Sequence, residues 1–152
     1  MKNKIQLLKE IEESVKLKNN LIKIEPQINQ AIKKIFITLK KKGKVFICGN
    51  GGSAADAQHL SAEFLVRLNP HINRKPLPIV SLAMDTSTLT ACGNDYGFQY
   101  IFSRNLEALA SKKDLLIAIS TSGNSKNIIE VLKKSKKMKI FSIALLGSGG
   151  GV

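Results

Sequence analysis

His59 and Glu63 are the side chains whose types and spacing could do acid–base or metal chemistry. They stand four apart in a segment with apolar residues at helical spacing, Ala57, Leu60 and Phe64, and so project from one helix face. A carboxylate or an imidazole can carry a proton, and both can ligate a metal. An exposed polar helix face presents the same pair, so its meaning depends on what lies beside it.

Upstream, Cys48-Gly49-Asn50-Gly51-Gly52-Ser53 ends the apolar run Val45-Phe46-Ile47 and opens the helix, with Ser53 placed to cap it. A strand, a glycine turn and a helix start present unpaired N–H groups at the positive end of the helix dipole, which favours phosphate or carboxylate. Gly49-x-Gly51-x-x-Ala54 also fits the dinucleotide fingerprint, but that motif wants an acid about 20 residues on. The nearest acid at a strand end, Asp85, stands well beyond that. A turn that uses glycine only for backbone freedom is the plainer alternative. A second loop, Ser120-Thr121-Ser122-Gly123-Asn124-Ser125, follows another apolar run and precedes another helical pattern. Hydroxyls and N–H groups at a helix start hold an oxyanion well. One Ser-rich turn is merely a cap; two equivalent loops at one sheet edge point to a shared anion site.

The elements that must position these loops read as an alternation. Residues 4–19 carry Ile5, Leu8, Ile11 and Val15 at helical spacing. After Ile24-Glu25-Pro26 a second helical pattern runs through Ile28, Ile32, Ile35, Phe36 and Leu39 to end near Gly43. Strands are expected at Lys44–Cys48, Pro78–Ala83, Asp114–Ile119 and Lys139–Leu145, and helices at Ser53–Arg67, Phe98–Leu109 and Ser125–Lys137. Ser87–Ala91 reads as a short helical turn and Gly93–Gly97 as a loop. Continuous apolar strands alternating with helices predict an α/β fold, a parallel sheet with helices on both faces. Residues 1–43 form N-terminal helices that cover the sheet or make subunit contacts, and residues 44–152 form the sheet domain.

With 152 residues, 43% hydrophobic and 23% charged, the chain is long enough to bury one substantial core. No apolar run approaches a membrane span and the N-terminus lacks a signal-peptide core, so a cytoplasmic protein is expected. Cys48 and Cys92 have neither metal-type nor disulfide-framework spacing and read as buried thiols. The net charge of +13 raises a nucleic-acid partner. Aromatic residues make up only 5% and none interleave with the basic runs. Solvated lysine faces that draw in anionic metabolites fit better, and neither nucleic acid nor membrane is expected as a partner.

CGNGGSAADAQHLSAE and ISTSGNS, with GNDYGFQYIFSR between them, resemble the sugar-isomerase (SIS) domain and, within it, the phosphoheptose isomerase family. The likeness runs from the N-terminal helices to the end of the chain. It implies a three-layer α/β fold of the flavodoxin or Rossmann type. The implied activity is conversion of sedoheptulose 7-phosphate to D-glycero-D-manno-heptose 7-phosphate, which feeds lipopolysaccharide and capsule heptose synthesis. The substrate contacts implied are Asn50, Gly51, Gly52 and Ser53 in the first loop and Ser120, Thr121, Ser122 and Ser125 in the second, the latter holding phosphate. Arg67, Asn94 and Asp95 are implied as further substrate contacts. His59 and Glu63 fall on the family's zinc ligands, one zinc per subunit, with Glu63 also the acid/base catalyst. A homotetramer with active sites at subunit interfaces is implied as well.

In that family a Gln and a His on a final helix, after a fifth strand, complete the zinc shell and the acid/base pair. Here the sequence runs to Gly147-Ser148-Gly149-Gly150-Gly151-Val152 after the fourth predicted strand, and His71 matches neither residue. The sequence therefore looks like a family member lacking its C-terminal strand and helix, with an incomplete zinc shell. The DnaA initiator-associating proteins share the SIS fold and offer a non-catalytic binding alternative. That group lacks the Glu four residues after the His, whereas Glu63 is present here, so the likeness favours the isomerases.

Overall fold

The computed structural model describes residues 2–147 and 149–151; the Ile5 side chain of the first apolar stripe, and Ser148 and Val152 of the C-terminal stretch, lie outside the described residues. The chain divides into two compact units, Met1–Lys34 and Ile35–Val152. The first holds α1 (Lys2–Asn20), a 3-10 turn (Leu21–Ile24) and the start of α2 (Glu25–Lys40). Pro26 sits in the first turn of α2, where its missing N–H loses no helical hydrogen bond, so helix follows helix without an extended break. Leu8, Ile11, Val15, Ile28 and Ile32 leave apolar side chains exposed along these helices.

The second unit is built on four parallel strands, β1 (Val45–Cys48), β2 (Ile79–Ser81), β3 (Leu115–Ser120) and β4 (Phe141–Leu146), ordered β2-β1-β3-β4. Side chains alternate faces along a strand, and these strands are apolar on both. Val45, Ile47, Leu115 and Ile117 pack with Ile79 and Ala57 on one side, beneath Ile35, Leu39, Leu60 and Phe64. Phe46, Cys48, Leu116 and Ala118 pack on the other with Phe102, Leu106, Ile128 and Val131. Full burial of each large apolar side chain is worth about 1.5–3 kcal/mol, so these two layers hold the fold and the loops are free to carry polar groups. At the opposite sheet edge from those loops, buried Asp114 accepts the Lys44 N–H at 2.8 Å and the Ser111 N–H at 2.7 Å, fastening the starts of β1 and β3. Both cysteines are free and buried, as expected.

Helices α3 (Gly52–Leu65), α4 (Thr86–Asp95), α5 (Ile101–Leu109, after a 3-10 turn at Phe98–Tyr100) and α6 (Lys126–Lys137) connect the strands. Two expectations need correction. Ser53 does not cap α3: Gly51 does, at φ 55° and ψ −121°, and Ser53 lies inside the helix. Glycine reaches that conformation without strain, so the helix opens two residues earlier than a cap at Ser53 would allow. Residues 93–95 are not loop but the last turn of α4. The Asp85 carboxylate accepts the Ser87 N–H at 3.1 Å and the Thr88 hydroxyl proton, a start strong enough to carry the helix through Gly93.

The strand order also sets the site. From β1 the chain goes out to β2, then returns across β1 to β3. The loops after β1 and β3 therefore part from one another, and such a switch point at the carboxyl ends of parallel strands opens a crevice.

Candidate active site

The first loop is shaped by backbone. A Cβ on Gly49 would lie 2.5 Å from the Ser53 carbonyl oxygen, so only glycine lets β1 turn this sharply into α3. The Ser53 and Ala54 N–H groups close the turn on the Asn50 and Gly51 carbonyls, both at 3.0 Å. The second loop is shaped by hydroxyls. Ser120 Oγ accepts the Gly123 N–H at 3.1 Å and lies 3.3 Å from Ser125 Oγ, while Ser122 Oγ accepts the Asn124 N–H at 3.2 Å. Ser125 stands at the N-cap of α6, one residue before the helix, yet its side chain makes no capping hydrogen bond.

Asn50, Ser53, Ser120, Thr121, Ser122 and Ser125 line one pocket of about 240 Å³ between these loops. Six of the sequence-derived contacts thus converge, and Gly51 and Gly52 form the turn beside them. The first N–H groups of α6 have no intrahelical carbonyl to bond, and no acidic residue occupies its first turn. An anion with several acceptor oxygens suits this arrangement. An amide pair joins the two sides: each of Asn50 and Asn127 donates an Nδ2 hydrogen to the other's Oδ1, at 2.8 Å both ways. Asn127 is 2% exposed. Sequence reasoning missed it, because two asparagines far apart in the chain carry no sign that they will meet.

His59 and Glu63 do share a face of α3, with Nε2 and Oε1 3.6 Å apart. The Glu63 side chain is 23% exposed and that of His59 74%, so the carboxylate is sheltered and the imidazole open. Zinc takes four ligands, and two ligands about 2 Å from a tetrahedral ion lie roughly 3.3 Å from each other. The pair fits as half of such a shell; among the described residues no group of three or more His, Cys, Asp and Glu could hold a metal. Arg74, also missed, fixes this end of α3: its guanidinium donates to the carbonyls of Glu63 at 2.7 Å and Phe64 at 2.8 Å. Helix-end carbonyls lack intrahelical donors, and a cation there also suits the dipole.

Three expected contacts lie outside the pocket. Arg67 falls beyond the end of α3 and donates to the Pro70 carbonyl at 3.3 Å. Asn94 and Asp95 end α4, where the Asn94 amide donates to Asp95 at 2.8 Å. Cys48, next to the glycine turn, is no nucleophile, since burial pushes its thiol pKa up to about 12. A larger groove of about 430 Å³ between α5 and α6 contains none of the expected site residues. Its Lys133 and Lys134 are already paired, with Glu130 and Glu107 respectively, both at 2.7 Å. Among the described residues no helix is long and apolar enough to cross a membrane.

Residues 11–147 match the SIS domain family. The chain is 50% identical over 148 residues to a phosphoheptose isomerase of Campylobacter concisus, covering 97% of this chain and 77% of that one. It is 46% identical over 135 residues to one from Helicobacter pylori, covering 89% of this chain and 69% of the relative. Among solved structures, a phosphoheptose isomerase from Francisella tularensis superposes with a TM-score of 0.93 at 36% identity, over 100% of this chain and 79% of the other. One from Neisseria gonorrhoeae gives 0.87 at 42% identity, over 96% and 76%. A polar pocket at the switch point of a parallel sheet, a His/Glu pair on the adjoining helix and these likenesses agree: the chain belongs to the SIS domain family and, within it, to the phosphoheptose isomerases.

Proposed function

We propose that this chain isomerises sedoheptulose 7-phosphate to D-glycero-D-manno-heptose 7-phosphate, in the cytoplasm, as an early step of heptose synthesis for lipopolysaccharide or capsule. The observation that carries the reading is the pocket where Asn50, Ser53, Ser120, Thr121, Ser122 and Ser125 meet at the uncapped start of α6. Phosphate binds there through hydroxyls and helix N–H groups. Glu63 is the general base: it takes a proton from C1 of the ketose and returns it to C2 of the enediol. The hydroxyl proton moves in the same sense, from O1 to O2, so the aldose forms with no net gain or loss of protons. His59 and Glu63 would hold zinc, which when bound would supply a Lewis acid for charge developing on substrate oxygen.

The assembly we propose is a homotetramer with sites at subunit interfaces. The exposed apolar side chains of Leu8, Ile11 and Val15 support it, as does the position of Arg67, Asn94 and Asp95 outside the intrachain pocket. The test is incubation with sedoheptulose 7-phosphate and zinc in heavy water, followed by proton NMR. Deuterium entering C1 or C2 together with an aldose heptose phosphate is the expected result. Absence of both exchange and product contradicts the reading.

A further inference from the structure

We propose that Asn127 is a positioning residue for this site, acting through Asn50 to hold the two loops at one fixed separation; the inference rests on the sugar-phosphate reading above. A sugar phosphate is bound at one end and reacts at the other, so the distance between the loop after β1 and the start of α6 sets where C1 and C2 fall. The Asn50–Asn127 pair spans that gap, with 2.8 Å hydrogen bonds in both directions. An amide offers two N–H donors and two lone pairs. The reciprocal pair uses one donor and one lone pair of each side chain. Asn50 also lines the pocket, so its remaining N–H and lone pair are left for a ligand, with the amide plane set by its partner. Asn127 is buried and does not line that pocket; it lies in the first turn of α6, whose leading N–H groups have no intrahelical carbonyl to bond. One residue therefore fixes both the orientation of Asn50 and its distance from the helix start. A substitution that lets a bound group shift by about 1 Å can cost on the order of 100-fold in rate, so a pin of this kind matters without touching substrate.

The test is a double-mutant cycle read by calorimetry with sedoheptulose 7-phosphate and by thermal unfolding: the unsubstituted protein, Asn50→Ala, Asn127→Leu and both together. Asn127→Leu is expected to weaken binding about tenfold or more, and to add almost nothing once Asn50 is Ala, because it acts through Asn50. A merely structural role would lower the melting temperature while leaving affinity unchanged, or would give losses that add independently. Either result overturns the proposal. If Asn127→Leu does not fold, Asn127→Ser is used in its place and read by the same two outcomes. Tight binding by the unsubstituted protein with no change in the variants rejects Asn127 alone, whereas no binding by the unsubstituted protein rejects the sugar-phosphate reading and this inference with it.

Discussion

Two helices of the second unit begin in opposite ways. At α4 the Asp85 carboxylate accepts from the Ser87 N–H and the Thr88 hydroxyl, so the helix start carries its own anion. At α6 the cap residue is Ser125, whose side chain makes no capping bond, and the first turn has no acidic residue. Every helix leaves its first N–H groups without carbonyl partners, and something must take their place. At α4 the chain does so itself; at α6, beside the hydroxyls of the second loop, a ligand anion can. The start of α3 is likewise free of side-chain capping and borders the same pocket. The same contrast explains why Asp85 is not the ribose acid of a dinucleotide site: its oxygens are committed to α4.

The largest expected effect concerns where a carboxylate is placed. Glu63 stands in the last turn of α3 rather than at its start, sheltered and paired with His59. Glu63→Gln should lower turnover about 10²–10⁴-fold while leaving substrate binding in place. Unchanged exchange of the C1 proton in that variant would remove Glu63 from the mechanism.

A second substitution makes α6 resemble α4. Ser125→Asp should cap the helix and suit its dipole, adding about 0.5–1 kcal/mol of stability. It should also weaken sugar-phosphate binding by about tenfold or more, since the new carboxylate occupies the anion's place. Melting temperature and affinity are thus expected to move in opposite directions, and affinity that holds would dissociate the α6 start from phosphate.

The smallest effect is the reverse operation. Asp85→Ala should lower the melting temperature slightly and leave ligand affinity unchanged. The hydrogen bond from the Thr88 hydroxyl, followed by those from backbone N–H groups, holds the Asp85 carboxyl below the usual carboxylate range. Its contribution is therefore complete above that usual range and is lost as pH falls through the lower folded value. The difference between the two proteins should close in acid and be full at neutral pH; thermal melts across that range check it.

These contrasts also mark what the sequence could reveal. The sheet was legible because buried parallel strands are continuous apolar runs, as in Val45-Phe46-Ile47 and Leu115-Leu116-Ile117. The two loops were legible because glycine and serine cluster where strand becomes helix. The cap of α3 was misassigned because serine is a common cap, whereas the decisive term was the positive φ open to Gly51. The last turn of α4 was read as loop because Gly93 and Asn94 look like turn residues, while the capping strength of Asp85 acts from the other end of the helix. Asn127 and Arg74 were invisible because their partners, Asn50 and the α3 carbonyls, are set by tertiary folding and leave no local pattern.

The central claim is that the pocket between the loops is a phosphate site, and paired calorimetric titrations test it most directly. Sedoheptulose 7-phosphate and free sedoheptulose are titrated into the unsubstituted protein and into Ser122→Ala. The account predicts measurable affinity for the phosphorylated sugar, far weaker binding of the free sugar, and a reduced difference between them in the variant. Equal affinity for both sugars in the unsubstituted protein would contradict it.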